Sequence, residues 1–449
     1  MTKLKIINKI DNYKGRYILS FSFIHVSDIH LGRPFSNLAD YSDDLKVREL
    51  YKKAVEKSFN NFIDYALAKN VDFVLISGDT FDSDEHDFES KLILKDGLKK
   101  LENADIKVFL ICGNHDPLNS YNKLTFNFDE NSIVKIIGLN TDYFEKFVIN
   151  DKFENPVAMV RALSFKDATF TQNPTNYFEQ PTQEEKSLFN IGLLHCDLDG
   201  DKQSPYAPCT KGDLDSKNYD YWALGHIHIP NMNEDAIAYS GTIQGRNTKE
   251  TGCHGIKYLK VDNGVITKNV FVPVDVIRFE DIDFDLSEAE DATIAASLIN
   301  NNIENFVNAE INSNCELFFV RLNLIGNIPF YNELNDNFFD IIAEKIKQDS
   351  FGKVCISEIR NNTTARVEEK LLLEDEGVAG AIYSTLIEAE KVEKASDITF
   401  EQLNHLLINC NFTQEELTIF SQEIKEKAKE ICINLCSQIY NNDSKEDVK

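Results

Sequence analysis

Nine residues carry the chemistry legible in this chain of 449: Asp28, His30, Asp79, Asp82, Asn114, His115, His195, His226 and His228. All but His195 arrive in short motifs, Asp28-Ile29-His30, Gly78-Asp79-Thr80-Phe81-Asp82, Gly113-Asn114-His115-Asp116 and Gly225-His226-Ile227-His228. Oxygen and imidazole donors without cysteine suit Mn²⁺, Fe or Zn²⁺. Two divalent cations about 3.5 to 4 Å apart can clamp a phosphate oxygen, activate a water and stabilise in-line displacement at phosphorus. The set therefore reads as a hydrolytic centre for phosphoesters. Any one His or Asp is more often a satisfied core or turn residue, but five of the nine histidines fall at strand ends within this one constellation. His25, His86, His254 and His405 have no such context and read as structural.

The elements that must position these groups are short apolar runs. Phe23 to Ser27 leads to Asp28, and Asp-x-His spacing would put both side chains on one side of an extended segment, as two ligands of one metal. Val71 to Ser77 is a buried-strand pattern ending at Asp79, the expected bridging carboxylate, with Gly78 allowing close backbone approach. Val108 to Cys112 delivers Asn114 as a neutral ligand and His115 as a general acid facing the substrate. The Asp82 carboxylate is expected to hold the His115 imidazole in its charged form. Ile191 to Leu194 ends at His195, and Tyr221 to Leu224 precedes His226 and His228. All these ligands thus fall at the C-terminal ends of strands, where α/β sheets bind ligands.

With these residues in view, the chain resembles the calcineurin-like metallophosphoesterases, and within them the SbcD-type DNA repair exonucleases of the YhaO-like branch. The resemblance spans roughly residues 22 to 390. Beyond the metal motifs it rests on Tyr221-Trp222-Ala223-Leu224-Gly225-His226-Ile227-His228, on Gly241-Thr242-Ile243-Gln244-Gly245-Arg246, and on the long extension that follows. It implies a four-layer α/β/β/α domain with a small α+β cap and C-terminal helices. One metal would be held by Asp28, His30, Asp79 and His228, the other by Asp79, Asn114, His195 and His226, with two divalent ions, Mn²⁺ foremost. His115 would stabilise the transition state or protonate the leaving group. Two departures lie outside the ligand set: Leu163 precedes Ser164 where a glycine is usual, and His254 stands where a lysine is common.

Length and composition organise the rest. No apolar stretch approaches the ~20 residues of a membrane span, and nine cysteines without a C-x-x-C pair fit reduced thiols in a cytoplasm. Residues 1–20, with Lys3, Lys5, Lys9, Lys14 and Arg16 against Asp11, read as an N-terminal extension. Residues 21–278 alternate strands with helical patterns at Asp44 to Lys69 and His86 to Asn103, as a catalytic α/β domain should. Residues 279–362 open with seven acids and no base between Glu280 and Asp291, a solvated linker or edge strand. Strands at Phe319 to Leu324 and Val354 to Ile359, and a helix at Glu333 to Lys347, complete a cap expected to guide nucleic acid.

Residues 363–449 read as helical, with a capping box at Thr413 to Glu416 and an apolar stripe from Leu417 to Ile439. By the resemblance, these helices would dock on an SbcC-type SMC-like ATPase. A net charge of −27 gives the free chain little hold on DNA, because phosphate neutralisation by Lys and Arg normally dominates that affinity. Either a local basic groove or a partner supplying charge would answer this, and a homodimer is a further candidate assembly. The expected function is that of a metal-dependent DNA exo- or endonuclease subunit in repair. The alternatives are a phosphodiesterase or phosphatase for small substrates such as cyclic nucleotides, and a non-catalytic scaffold of a repair complex.

Overall fold

The computed structural model describes residues 20–32, 45–82, 88–121, 132–139, 144–151, 154–201, 203–310, 313–366, 369–374 and a few positions up to 384. The N-terminal extension, His86, His405 and the C-terminal capping box and stripe lie outside these residues. The described chain divides into two compact units. One runs from the first strand to Glu280 and includes Glu310–Phe319; the other holds Asp281–Ala309 and the chain from Val320 onward. No described helix is long and apolar enough to cross a membrane.

The first unit contains two sheets. Strands β1 (Ser20–Val26), β2 (Phe73–Ser77), β3 (Lys107–Ile111) and β4 (Val134–Ile136) run parallel in one of them. The second sheet orders β5 (Glu145–Asn150), β6 (Pro156–Leu163), β7 (Phe189–His195), β8 (Tyr221–Gly225) and β9 (Ile237–Tyr239), all parallel from β6 onward. The chain then returns to the first sheet, where β10 (Gly255–Asp262) pairs antiparallel with β1 and β11 (Val265–Pro273) with β10.

Alternation along each strand explains why the sheets stack. Phe23, Phe73, Leu75 and Ile111 point to the second sheet and meet Val160, Ile191, Leu193 and Ala223 there. The intervening residues Ile24, Val74, Ile76 and Leu110 point the other way, against helices α1 (Leu45–Lys69) and α2 (Phe88–Asn103), which supply Phe59, Phe62, Ile63, Leu94 and Leu98. Strands apolar on both faces are what a covered parallel sheet requires. The outer face of the second sheet packs Trp222 and Leu224 against Phe178, Leu214 and Tyr239. Here the fourth layer is made of two 3₁₀ turns and one helical turn at Lys211–Asp215. The molecule is thus a mixed α/β protein with two stacked sheets.

The second unit is built on a three-stranded sheet of β12 (Ile277–Asp285), β13 (Leu317–Ile328) and β14 (Val354–Ala365), with helices α3 (Ala292–Ala309) and α4 (Asp336–Asp349). The acidic segment after Phe279 begins as the outer strand of this sheet. Arg321 on β13 binds Asp281 and Glu358 on its two neighbours at 2.9 and 2.8 Å.

Candidate metal centre

Each ligand candidate follows the C-terminal end of a strand, and the strands of both sheets end together. Asp28 and His30 follow β1, Asp79 follows β2, Asn114 and His115 follow β3, His195 closes β7, and His226 and His228 follow β8. The loops after β1 and β2 run side by side, with Asp28 N–H donating to Gly78 O at 3.1 Å and His30 N–H to Asp79 O at 3.0 Å. The backbone there is not extended. Asp28, His30 and Asp79 sit at φ near +50° and His226 at +107°. Successive left-handed turns, rather than the alternation of a strand, bring Asp28 and His30 to one side. Such conformations cost on the order of 1–3 kcal/mol each and persist where surrounding structure enforces them, as at functional sites. Gly78, at φ +90°, is fixed by the same crowding, since a Cβ there would lie 2.7 Å from His195 Nδ1.

The nine side chains converge. Asp79, almost fully buried, accepts the His115 N–H on Oδ1 at 2.9 Å, while its Oδ2 lies 3.4 Å from His195 Nε2 and 3.9 Å from His30 Nε2. It therefore stands between two groups of donors. On one side His30 Nε2 and His228 Nε2 are 3.2 Å apart, with the Asp28 carboxylate in the same cluster. On the other, Asn114 Oδ1 lies 3.0 Å from His195 Nε2 and 3.2 Å from His226 Nδ1. Asp28 also takes the His226 N–H at 3.1 Å, and its main-chain carbonyl accepts from Thr242 Oγ1 at 2.7 Å.

The donor set fits two divalent cations. Ligand atoms about 2.1 Å from a shared ion and 90–110° apart lie ~3.0–3.4 Å from one another, as these do. The tautomers agree. His30 Nδ1 faces Asp82 Oδ1 at 3.2 Å, His228 Nδ1 faces Glu250 Oε1 at 2.8 Å, and His195 Nδ1 faces Ser77 O at 2.9 Å. With Nδ1 of His195 and of His228 placed against oxygens, the Nε2 atoms of these rings face the other donors of the centre. A bound cation would make such a convergence favourable.

The electrostatics point the same way. Burial lowers the pKa values of His30 and His226, the latter to about 4, with the His195 charge adding to the shift. Burial works against His195 too, yet the Asp79 carboxylate pulls it up to about 9, so a proton there takes the place of a positive ion. Asp79 is held well below the usual carboxylate range by His195 and His30 in spite of burial.

Asp82 differs from expectation. Its carboxylate serves His30, and its main-chain carbonyl receives His115 Nδ1 at 2.8 Å. The cause is local geometry: the loop after β2 presents the peptide plane to His115 and turns the side chain toward the β1 loop and Arg246, whose Nη1 is 3.8 Å away. The Asp82 carbonyl orients the His115 ring through Nδ1, and Nε2 is left for the substrate.

Four further residues shape the centre. Asp116, fully buried, accepts from the main-chain N–H groups of Thr80, Phe81 and Gly113 at 2.7, 3.1 and 2.8 Å and so ties the β2 and β3 loops together. Burial and then the Asp79 charge push its pKa up to about 8. Thr242 anchors Asp28. Arg246 and Glu250 stand behind His228, and the Gly-Arg ending of the 241–246 string was the only sequence signal for them. His25 and His254 are buried and bonded to main-chain carbonyls, Leu224 O and Glu250 O, as structural histidines.

A family model described as calcineurin-like phosphoesterase matches residues 21–230, a span that contains all nine residues. An uncharacterized metallophosphoesterase, YhaO of Bacillus subtilis, is 30% identical over 286 residues, covering 63% of this chain and 67% of that protein. The chain belongs to the calcineurin-like metallophosphoesterases. Within that family it is also similar to the DNA double-strand break repair protein Mre11 of Methanocaldococcus jannaschii, 25% identical over 236 residues, 49% of this chain and 56% of that one. Mre11 of Sulfurisphaera tokodaii is 26% identical over 212 residues, 46% and 48% of the two chains. The chain thus spans about half the length of these Mre11 relatives. As a metallophosphoesterase it is a metal-dependent hydrolase of phosphoester bonds, and its donor set fits two cations.

Proposed function

We propose that this metallophosphoesterase hydrolyses phosphodiester bonds in DNA, as the nuclease subunit of a repair complex whose ATPase is a separate SMC-like chain docked through residues 363–449. The observation that carries diester hydrolysis is Asp79 poised between two donor groups with His115 beside them. Bound divalent cations, Mn²⁺ foremost by the mixed hardness of the ligands, would polarise the phosphoryl oxygens and the attacking water. Asp28, His30 and His228 would hold one, Asn114, His195 and His226 the other, with Asp79 shared.

The protein's own groups do the rest. Asp82 O and the Asp79–His115 main-chain bond fix the His115 ring, and Nε2–H gives its proton to the departing oxygen. DNA as substrate is supported by the similarity to the Mre11 proteins and by the second unit, which a compact small-molecule enzyme has less need of. Nine cysteines without a C-x-x-C pair accord with reduced thiols in a cytoplasmic setting.

The test compares linear duplex and single-stranded DNA with bis-p-nitrophenyl phosphate and a cyclic nucleotide, in Mn²⁺, with and without the ATPase. DNA cleavage that falls steeply with salt and rises with the partner is expected. Efficient turnover of the small diesters with DNA intact throughout would establish the small-substrate reading instead. His115→Ala should lower turnover by about 10²- to 10⁴-fold, the usual worth of a general acid, with metal content retained. Loss of metal in that variant would make His115 a ligand.

A further inference from the structure

The imidazoles of the two cation positions are supported differently. His195 rests on a neutral main-chain carbonyl, Ser77 O, at 2.9 Å. His228 rests on a carboxylate. Glu250 Oε1 lies 2.8 Å from its Nδ1, and the same carboxylate takes three bonds from Arg246, from Nη2 at 3.0 Å to Oε1 and from the main-chain N–H at 2.8 Å and Nε at 3.3 Å to Oε2.

Arg246 Nη2 is also 2.8 Å from His228 Nδ1. A guanidinium only donates, so in the metal-free protein Arg246 can give its N–H to Nδ1; once Nε2 ligates a cation, Nδ1 keeps its proton and Glu250 is the acceptor within reach. His228 is then held as the Nδ1–H tautomer, with its Nε2 lone pair turned to His30. The arrangement is rigid because Arg246 is only 5% exposed and its Nη1 looks across to Asp82, the carboxylate behind His30. Glu250 is fixed at its main chain as well, where its carbonyl accepts from the buried His254 at 3.2 Å.

We propose that Glu250, clamped by Arg246, is a positioning residue that fixes the His228 imidazole and thereby sets the affinity of one cation position, the one formed with His30 and Asp28, and not of the other. A carboxylate hydrogen-bonded to a ligating histidine fixes ring and tautomer and raises the basicity of the coordinating nitrogen. Removing such a partner typically weakens metal binding 10- to 100-fold. The second position, built on Asn114, His195 and His226, has no contact with Glu250 among those described here and should keep its affinity. The inference rests on the two-cation reading of the centre.

Equilibrium dialysis of the full chain against Mn²⁺ tests it, with the melting temperature of the metal-free protein measured in parallel. In Glu250→Ala one of two dissociation constants should rise about 10- to 100-fold while the other stays put and the metal-free melting temperature is nearly unchanged. Glu250→Gln, which keeps an acceptor but not the charge, should recover part of the loss. Should the alanine variant fail to fold, the glutamine variant carries the test, with a smaller weakening again confined to one ion. Two equivalents bound with both constants as in the unaltered protein would overturn the role of Glu250 alone. Equal weakening of both, with a lowered metal-free melting temperature, would overturn it as well, reducing Glu250 to general support. An unaltered protein that binds fewer than two equivalents would overturn the two-cation reading itself, and this inference with it.

Discussion

His25 is fully buried and bonded through both ring nitrogens, with Nδ1 3.0 Å from Tyr221 Oη and Nε2 3.0 Å from Leu224 O. Burial lowers its pKa to about 3, whereas His195, equally buried but 3.4 Å from the Asp79 carboxylate, is pulled up to about 9. The sign of the pH effect follows. In the unfolded chain His25 takes a proton below about pH 6.5 and in the folded one only below about pH 3, so its contribution is complete above about pH 6.5 and is lost on acidification. At pH 5 the loss is ~2 kcal/mol. Urea unfolding at pH 7 and pH 5 should show a drop in stability smaller by about this amount in His25→Gln than in the unaltered protein. Equal drops in the two would show that His25 is protonated in the fold.

At the scale of elements, the centre depends on how closely the loops after β2 and β3 approach. A Cβ on Gly113 would strike Asp79 Oδ1 and lie 2.6 Å from Asp79 N. Gly113→Ala should therefore displace the shared carboxylate, lowering Mn²⁺ content and costing ~1–3 kcal/mol in thermal stability. A variant that still holds two equivalents with full turnover would show that the loop yields without disturbing Asp79. The strands were legible because parallel strands covered on both faces read as continuous apolar runs, and the candidate ligands stand at their ends. Other features were not. In helix α3 the run Asn300-Asn301-Asn302 breaks the apolar spacing of Ala295, Ile299 and Ile303, the residues on its buried side. The turn of Asp82 toward His30 depends on a peptide plane that residue identity does not set. The Arg246–Glu250 pair sits at helical spacing in a segment that is not a helix, and its partner His228 lies 18 and 22 residues earlier.

For the whole molecule, the candidate ligands all lie between Asp28 and His228, while the segment proposed to dock the ATPase comes after residue 362. Deleting residues 395–449 should spare hydrolysis of bis-p-nitrophenyl phosphate and abolish copurification with the ATPase. Lost metal and a collapsed melting transition would make the tail part of the core, and a folded truncated protein that still copurifies would move the docking surface elsewhere. The left-handed backbone at Asp28, His30, Asp79 and His226 has a consequence on a longer timescale. At on the order of 1–3 kcal/mol apiece, these four positions set aside a large part of the 5–15 kcal/mol that holds a typical domain folded. Selection for hydrolysis alone keeps them. In a lineage that retained only the fold, glycine or asparagine at these positions would be an immediate gain, so the ligands would be among the first residues to drift. A descendant that had lost catalysis would then survive heating better than its active ancestor.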